Sequence, residues 1–169
     1  QIRAMKKVAG GLKLALSQYR DLEAFASFAS DLDAVSRAQL DRGARLVELL
    51  KQPQYSPLPV ERQVVSVWAG TSGYLDDVPV DDVSRFESEL LDFIGRSHGG
   101  IYKTIRETRD LSDDAAVTLK DAVDEFRRGF ETSSGELLVK DEPAEPLEES
   151  EVQQEKLRKR VVPPQDKRK

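Results

Sequence analysis

The sequence has no cysteine, and its 169 residues include a single histidine, His98. The absence of cysteine excludes disulfides, thiolate nucleophiles and cysteine-ligated zinc, and it is compatible with a reducing compartment. A Ser-His-Asp triad would have to use His98, yet no serine lies in a nucleophile-elbow motif. We therefore predict no catalytic residue and no metal site, and we interpret His98 as a surface or helix-end residue.

Long apolar runs and a phosphate-binding loop are also missing. No segment approaches the roughly 20 apolar residues of a membrane-spanning helix, so no direct membrane insertion is predicted. The stretch GGLK at residues 10–13 lacks the spacing of a GxxxxGK[ST] loop, so the chain is not expected to hold a triphosphate alone. Because the chain starts at Gln1 within a helix-forming stretch, we expect a soluble fragment of a longer protein.

The formal net charge is −5, from 26 basic and 31 acidic residues. Neither the body of the chain nor its tail is net basic, so nucleic acid is not an expected partner. Carboxylates are abundant but fall on predicted exposed faces and turns, where most acidic side chains are solvating groups. Asp31 and Asp33, in a small acidic turn, are the two carboxylates for which we expect a role beyond solvation.

Apolar residues recur every three to four positions, which is the helical period, and no strict alternation typical of strands persists. We predict an all-α antiparallel bundle of about six helices around one core, with Trp68 and Phe126 substantially buried. The apolar residues that mark the six helices run from Val8 to Phe25, from Val35 to Leu50, from Val60 to Trp68, from Val83 to Ile94, from Ile101 to Ile105 and from Ala116 to Phe130.

Local signals place several helix ends. Asp31 or Asp33 is suited to cap the second helix, Pro59 to begin the third, and Ser112 to cap the last. The glycine pair at residues 10–11 indicates either a bend or close helix contact in the first helix, or a break into two helices.

A proline-rich connection follows the second helix. Pro53 and the prolines after it stiffen this loop, and the amides of Gln52 and Gln54 suit a flat polar edge such as a purine ring. The alternative is an ordinary connection with solvated glutamines.

After Phe130 the apolar period fades into a polar, charged stretch that is predicted to be mostly disordered. Acidic residues precede basic ones there, which permits a marginal helix near residues 147–161. A tail of this kind could dock and impede a moving partner, or it could be an inert extension.

Six segments occur in one order: QIRAMKKVAG at 1–10, QYRDLEAFA at 18–26, SDLD at 30–33, LLKQPQYSPLPVERQVVSVW at 49–68, AG at 69–70 and GYLD at 73–76. Together they resemble the C-terminal helical domain of the alpha subunit of F-type ATP synthases. The resemblance covers residues 1–131, without the upstream nucleotide-binding domain, and leaves 132–169 as a flexible charged extension.

The resemblance implies that Gln52 and Gln54 lie near the adenine of the nucleotide at the non-catalytic site. Pro53 stands where relatives commonly have glycine. The implied cofactors are ATP or ADP with magnesium in the full-length subunit. None is expected to bind this fragment tightly, because the phosphate-binding loop belongs upstream of Gln1.

The resemblance further implies that the turn of Ser30, Asp31, Leu32 and Asp33 faces the rotating central shaft. The implied partners are the beta subunits, the gamma shaft and other alpha copies in a hexameric ring on the cytoplasmic face of the plasma membrane. The complex makes ATP from ADP and phosphate with a proton gradient, and the fragment itself is expected to be inactive. The alternatives are a stand-alone helical interaction module and the related beta subunit.

Overall fold

The computed structural model describes residues 1–28, 32–51 and 56–139. Every regular element in these ranges is helical, which confirms the predicted all-α fold. The six α-helices are α1 (Arg3–Ala26), α2 (Ala34–Leu49), α3 (Val60–Thr71), α4 (Val83–Ser97), α5 (Gly100–Thr108) and α6 (Asp113–Gly129), and a 3₁₀ turn, η1 (Val80–Asp82), precedes α4. The predicted tail helix at 147–161 lies outside the described residues.

Side-chain caps fix the starts of two helices. The Asp33 carboxylate accepts a hydrogen bond from the backbone N–H of Ser36 at 2.6 Å, and the Ser112 hydroxyl accepts one from the N–H of Ala115 at 3.2 Å. Each bond satisfies a first-turn N–H that has no partner within its helix. The caps predicted at Asp33 and Ser112 are therefore confirmed, as is the start of α3 directly after Pro59.

Helix α1 is continuous through Gly10 and Gly11, so the alternative of two separate helices is wrong. A Cβ on Gly11 would lie 3.7 Å from Cβ of Thr71 at the end of α3, whereas a Cβ on Gly10 would meet open space. Gly11 thus allows the close helix contact that the sequence indicated.

The first turn of α1 is tied to the connection between α5 and α6. The N–H of Ala4 donates to the carbonyl of Arg109 at 3.1 Å, and Nζ of Lys7 donates to the carbonyl of Leu111 at 2.8 Å. Lys7 also forms an ion pair with Asp110 at 2.9 Å. These contacts fix the start of the chain against the connection between its last two described helices.

The core is one cluster of apolar side chains to which all six helices contribute. Phe86 is its largest fully buried member, and its ring makes edge contacts with Phe126 at 5.2 Å and Phe130 at 5.0 Å. Trp68 and Phe126 are half-buried and lie against this cluster, so they are less buried than predicted. Trp68 stacks on Tyr74 with its ring centroid 5.3 Å away.

The predicted apolar stripes of α1 and α2 are wrong in part. Phe25 is 59% exposed and Val35 is 68% exposed, whereas Leu46 and Leu49 are buried. The methyl groups of Leu46 and Leu49 would lie within 3 Å of a Cβ on Gly70, so the side of α2 that carries these leucines faces α3. Periodicity identified α2 as a helix but assigned its buried side to the wrong residues.

Candidate functional site

The structure describes only part of the sequence-predicted site. Gln52, Gln54, Ser30 and Asp31 lie outside the described residues. The adenine contact therefore stays a prediction, as does the contact of the turn of residues 30–33 with the shaft. Leu32 is described, as are the residues on either side of the glutamine loop.

Asp33, in the turn predicted to face the shaft, stabilises the start of α2. Its carboxylate caps α2, and the hydrogen bond from the backbone of Ser36 lowers the pKa of Asp33 below the ordinary value. Leu32 is half-buried, and its carbonyl lies 3.5 Å from a guanidinium nitrogen of Arg37. The carboxylate of Asp33 is thus engaged with its own helix, and Asp33 itself remains solvent-exposed.

Exposed apolar side chains flank this turn in the sequence. Phe28 is 91% exposed directly after α1, Phe25 is 59% exposed on its last turn, and Val35 is 68% exposed on the first turn of α2. Large apolar groups concentrated at one exposed place are typical of interaction surfaces. We call these three residues the apolar tip. The available sequence signal was two phenylalanines within four residues of a stretch otherwise rich in alanine and serine.

A cleft of about 250 Å³ lies beside the ends of the glutamine loop. Lys51 precedes the loop and Ser56 follows it, and both line the cleft. The remaining wall comes from the start of α3 and from α4. Its residues are Leu58, Arg62, Ser84, Glu87 and Ser88.

Glu87 is the acidic group of this cleft, and it is held over the buried Ser66. The Ser66 hydroxyl donates to a carboxylate oxygen of Glu87 at 2.5 Å. Burial raises the pKa of Glu87, and the bond from Ser66 only partly opposes that shift. The carboxylate therefore has fewer compensating partners than a charged group at such a depth usually finds.

The neighbouring ionic groups of α3 pair across the bundle. Arg62 donates to Asp92 at 2.6 Å, and the buried Glu61 lies 3.6 Å from Arg106. The Tyr102 hydroxyl donates to the carbonyl of Leu91 at 2.8 Å. These bonds fix α3, α4 and α5 relative to one another.

His98 lies at the end of α4, where the sequence placed it as a helix-end residue, and its Nε2 lies 3.1 Å from a carboxylate oxygen of Glu125. Among the described residues no group of three or more His, Cys, Asp or Glu side chains could hold a metal ion. In the same part of the chain, no helix is both long and apolar enough to cross a membrane.

These features define the class: an all-α domain in which ionic and polar groups join neighbouring helices and in which the apolar tip is open to solvent. The family model "ATP synthase alpha/beta chain, C terminal domain" matches residues 1–126. The chain belongs to this family.

Curated relatives narrow the likeness to one subunit type. The chain is 61% identical to ATP synthase subunit alpha of Thermobifida fusca over 158 residues, which is 94% of this chain and 29% of that protein. It is 59% identical to ATP synthase subunit alpha of Mycobacterium sp. (strain KMS) over 99% of this chain and 30% of that protein. With the Mycobacterium avium protein it shares 57% identity over all 169 residues, again 30% of that protein.

The chain spans about 30% of the length of the curated relatives it matches. The alignment with the Mycobacterium avium protein includes the stretch after residue 131, where the resemblance read from the sequence had ended.

Proposed function

We propose that the chain is the C-terminal helical domain of the alpha subunit of an F-type, proton-translocating ATP synthase. The observation that carries this proposal is the identity of 61% to a protein named as that subunit over 94% of the chain. In this role the domain packs within the ring of alpha and beta subunits, and the complete complex makes ATP from ADP and phosphate. No observation favours the alternatives of a stand-alone module or the beta subunit.

Assembly tests the proposal directly. A full-length alpha subunit that carries this domain, expressed with beta and gamma subunits, should purify as a ring-sized complex that hydrolyses ATP. The matched control is the same subunit with its native C-terminal domain. A subunit that folds yet stays monomeric beside both partners would refute the assignment.

The apolar tip and the turn of residues 30–33 are proposed to contact the central shaft. The exposed rings of Phe25 and Phe28 support this, because they offer apolar area without a partner among the described residues. The absence of cysteine allows a sharp test, since Phe28→Cys introduces the only thiol in the domain. Placed in a full-length subunit free of other cysteines, it should cross-link to a cysteine on the shaft. Val117→Cys, on α6 and 59% exposed, is the control that should not.

The glutamine loop is proposed to contact adenine at the non-catalytic site, with magnesium and the phosphates held by the upstream domain. The support is that Lys51 and Ser56, the described residues on either side of the loop, both line one cleft. The isolated chain should bind ATP weakly, because adenine contacts alone supply little affinity. Changing both Gln52 and Gln54 to alanine in the full-length subunit should weaken nucleotide retention at that site, whereas Gln18→Ala on the exposed side of α1 should not.

The complex is proposed to lie on the cytoplasmic face of the plasma membrane as a peripheral assembly, and the tail is proposed to restrain ATP hydrolysis. The support for the tail is its separation of acidic from basic residues around a few apolar ones. A coil of about 30 residues spans about 30 Å, enough to reach a neighbouring subunit. Deleting residues 140–169 should raise ATP hydrolysis by the assembled complex, and unchanged hydrolysis and synthesis would identify an inert extension.

A further inference from the structure

We propose that Asp82 and Arg85 form a clasp that holds residues 130–138 on the bundle, so that the C-terminal extension departs from a fixed point at residue 139 rather than from the end of α6. The term clasp denotes Asp82, Arg85, Glu131 and Ser133.

Asp82 is the anchor of the clasp. Asp82 is only 2% exposed, which makes it the most buried acidic residue in the described part of the chain. Its carboxylate accepts hydrogen bonds from the backbone N–H of Ser133 at 3.0 Å and from the Ser133 hydroxyl. A buried carboxylate requires such donors to offset its lost hydration. These bonds, the hydroxyl bond foremost, lower the pKa of Asp82, so the charged form is held in place.

Arg85 closes the clasp one turn later. Its Nη2 donates to the carbonyl of Glu131 at 2.6 Å and to Asp82 at 3.3 Å. The guanidinium carbon lies 4.5 Å from the centre of the Phe130 ring, within the range of a cation–π contact. Phe130 is itself buried against Phe86. Arg85 therefore covers the core aromatic residue and holds the segment that follows it.

The held segment is a compact turn with little core of its own. The N–H of Leu138 donates to the carbonyl of Phe130 at 2.9 Å, and the N–H of Thr132 donates to the carbonyl of Glu136 at 2.8 Å. Gly135 adopts a positive φ of 83° at the turn. Because residues 131–137 bury few side chains and an isolated hairpin is at best marginally stable in water, the order of this segment depends on the clasp.

The clasp determines where the extension begins. Without it, about nine further residues would join the roughly 30 of the extension, which for a coil lengthens the mean reach from about 30 Å to about 34 Å. A longer flexible connection lowers the effective concentration of whatever it tethers. This consequence for the extension rests on the restraining role proposed above, whereas the clasp itself does not.

Hydrogen exchange of the 169-residue chain tests the clasp. Ser133→Ala and Asp82→Asn should each speed exchange of the Thr132, Gly135 and Leu138 amides by roughly tenfold, the factor that corresponds to losing one net hydrogen bond. Amides of α4 and α6 should keep their protection in Ser133→Ala, which shows that the bundle remains folded. Asp81→Asn is the matched control, because Asp81 is an exposed neighbour on η1.

Unchanged protection of residues 132–138 in both variants would overturn the clasp. In the assembled complex, Ser133→Ala should raise ATP hydrolysis part of the way towards the level reached by deleting residues 140–169. The fixed departure point would be overturned by a different result. In that case the deletion activates hydrolysis and Ser133→Ala lowers the protection of residues 132–138, yet Ser133→Ala leaves hydrolysis at the wild-type level. A deletion without effect would instead refute the restraining role of the tail, and exchange alone would then decide on the clasp.

Discussion

The ring of Tyr19 on α1 lies directly over Gly43 on α2, so closely that a Cβ on Gly43 would come within 2.2 Å of the Tyr19 Cδ2. No real Cβ contact is so short, and Cβ of Tyr19 would itself lie only 2.5 Å away, so rotating the ring would not relieve the clash. Gly43 is therefore what permits α1 and α2 to pack at this distance.

Gly43→Ala should destabilise the chain by up to about 2 kcal/mol, because overpacking costs about 1 to 3 kcal/mol and the gain in helix propensity offsets roughly 1 kcal/mol of it. Urea unfolding of the 169-residue chain measures the change. Gly10→Ala is the control: a Cβ there meets open space, so the same substitution should stabilise by up to about 1 kcal/mol. Equal stabilisation by both variants would show that α1 and α2 separate easily.

The local features of this fold were predictable because they depend on neighbours in the sequence. Apolar spacing gave the six helices, and the caps at Asp33 and Ser112 followed from side chains adjacent to the N–H groups they satisfy. The role of Gly43 was not predictable, since it requires knowing that Tyr19 lies opposite.

The candidate site shows the same division. Phe25 and Val35 fit the apolar spacing of their helices, which assigned both to buried stripes, yet both are exposed. Spacing shows which residues share a side of a helix but not which side meets a neighbour. The bond between Asp82 and Ser133 joins two common polar residues that are 51 positions apart, and no local pattern marks it. The glutamine loop was singled out by its prolines and amides, the family resemblance implied that it contacts adenine, and that contact remains a prediction.

Tyr102 should be the last described tyrosine to ionise. Burial raises its pKa to about 12, from an ordinary value near 10. Because the raised pKa favours the neutral phenol, this group's contribution to stability is complete below pH 10 and is lost as the pH rises through 12. Phenolate absorbance should show a late transition that Tyr102→Phe removes. If the variant instead removes a transition near pH 10, the hydroxyl is not buried in solution.

Asp110 should make stability depend on pH at the acidic end. The hydrogen bond from Lys7 is the main reason that the pKa of Asp110 is lowered, and the N–H of Leu111 adds to it. Its contribution is therefore complete above about pH 4, the unfolded value, and is lost as the pH falls through the lowered pKa. Asp110→Asn should lower the urea midpoint at pH 7 and have little effect near pH 2.

The control for that experiment is Asp41→Asn on an exposed position of α2, which should leave the midpoint nearly unchanged at both values of pH. An Asp110→Asn effect that persists undiminished at low pH would assign the loss to packing rather than to charge.

Glu87 should show the opposite dependence. Burial raises its pKa, so the folded state favours the protonated acid, and its contribution to stability is present below the unfolded pKa and lost as the pH rises through the folded one. Glu87→Gln keeps the shape and an acceptor for the Ser66 hydroxyl while removing the charge. The variant should therefore be more stable than the wild type at pH 7, with the difference closing near pH 3.

Ser66→Ala is the complementary variant. Removing the donor leaves the charged carboxylate less compensated, so the substitution should destabilise the chain more at pH 7 than at pH 3. A Glu87→Gln chain that is less stable than the wild type at neutral pH would show that the carboxylate has a stabilising partner in solution, for which the cleft beside Lys51 and Arg62 is the place to look.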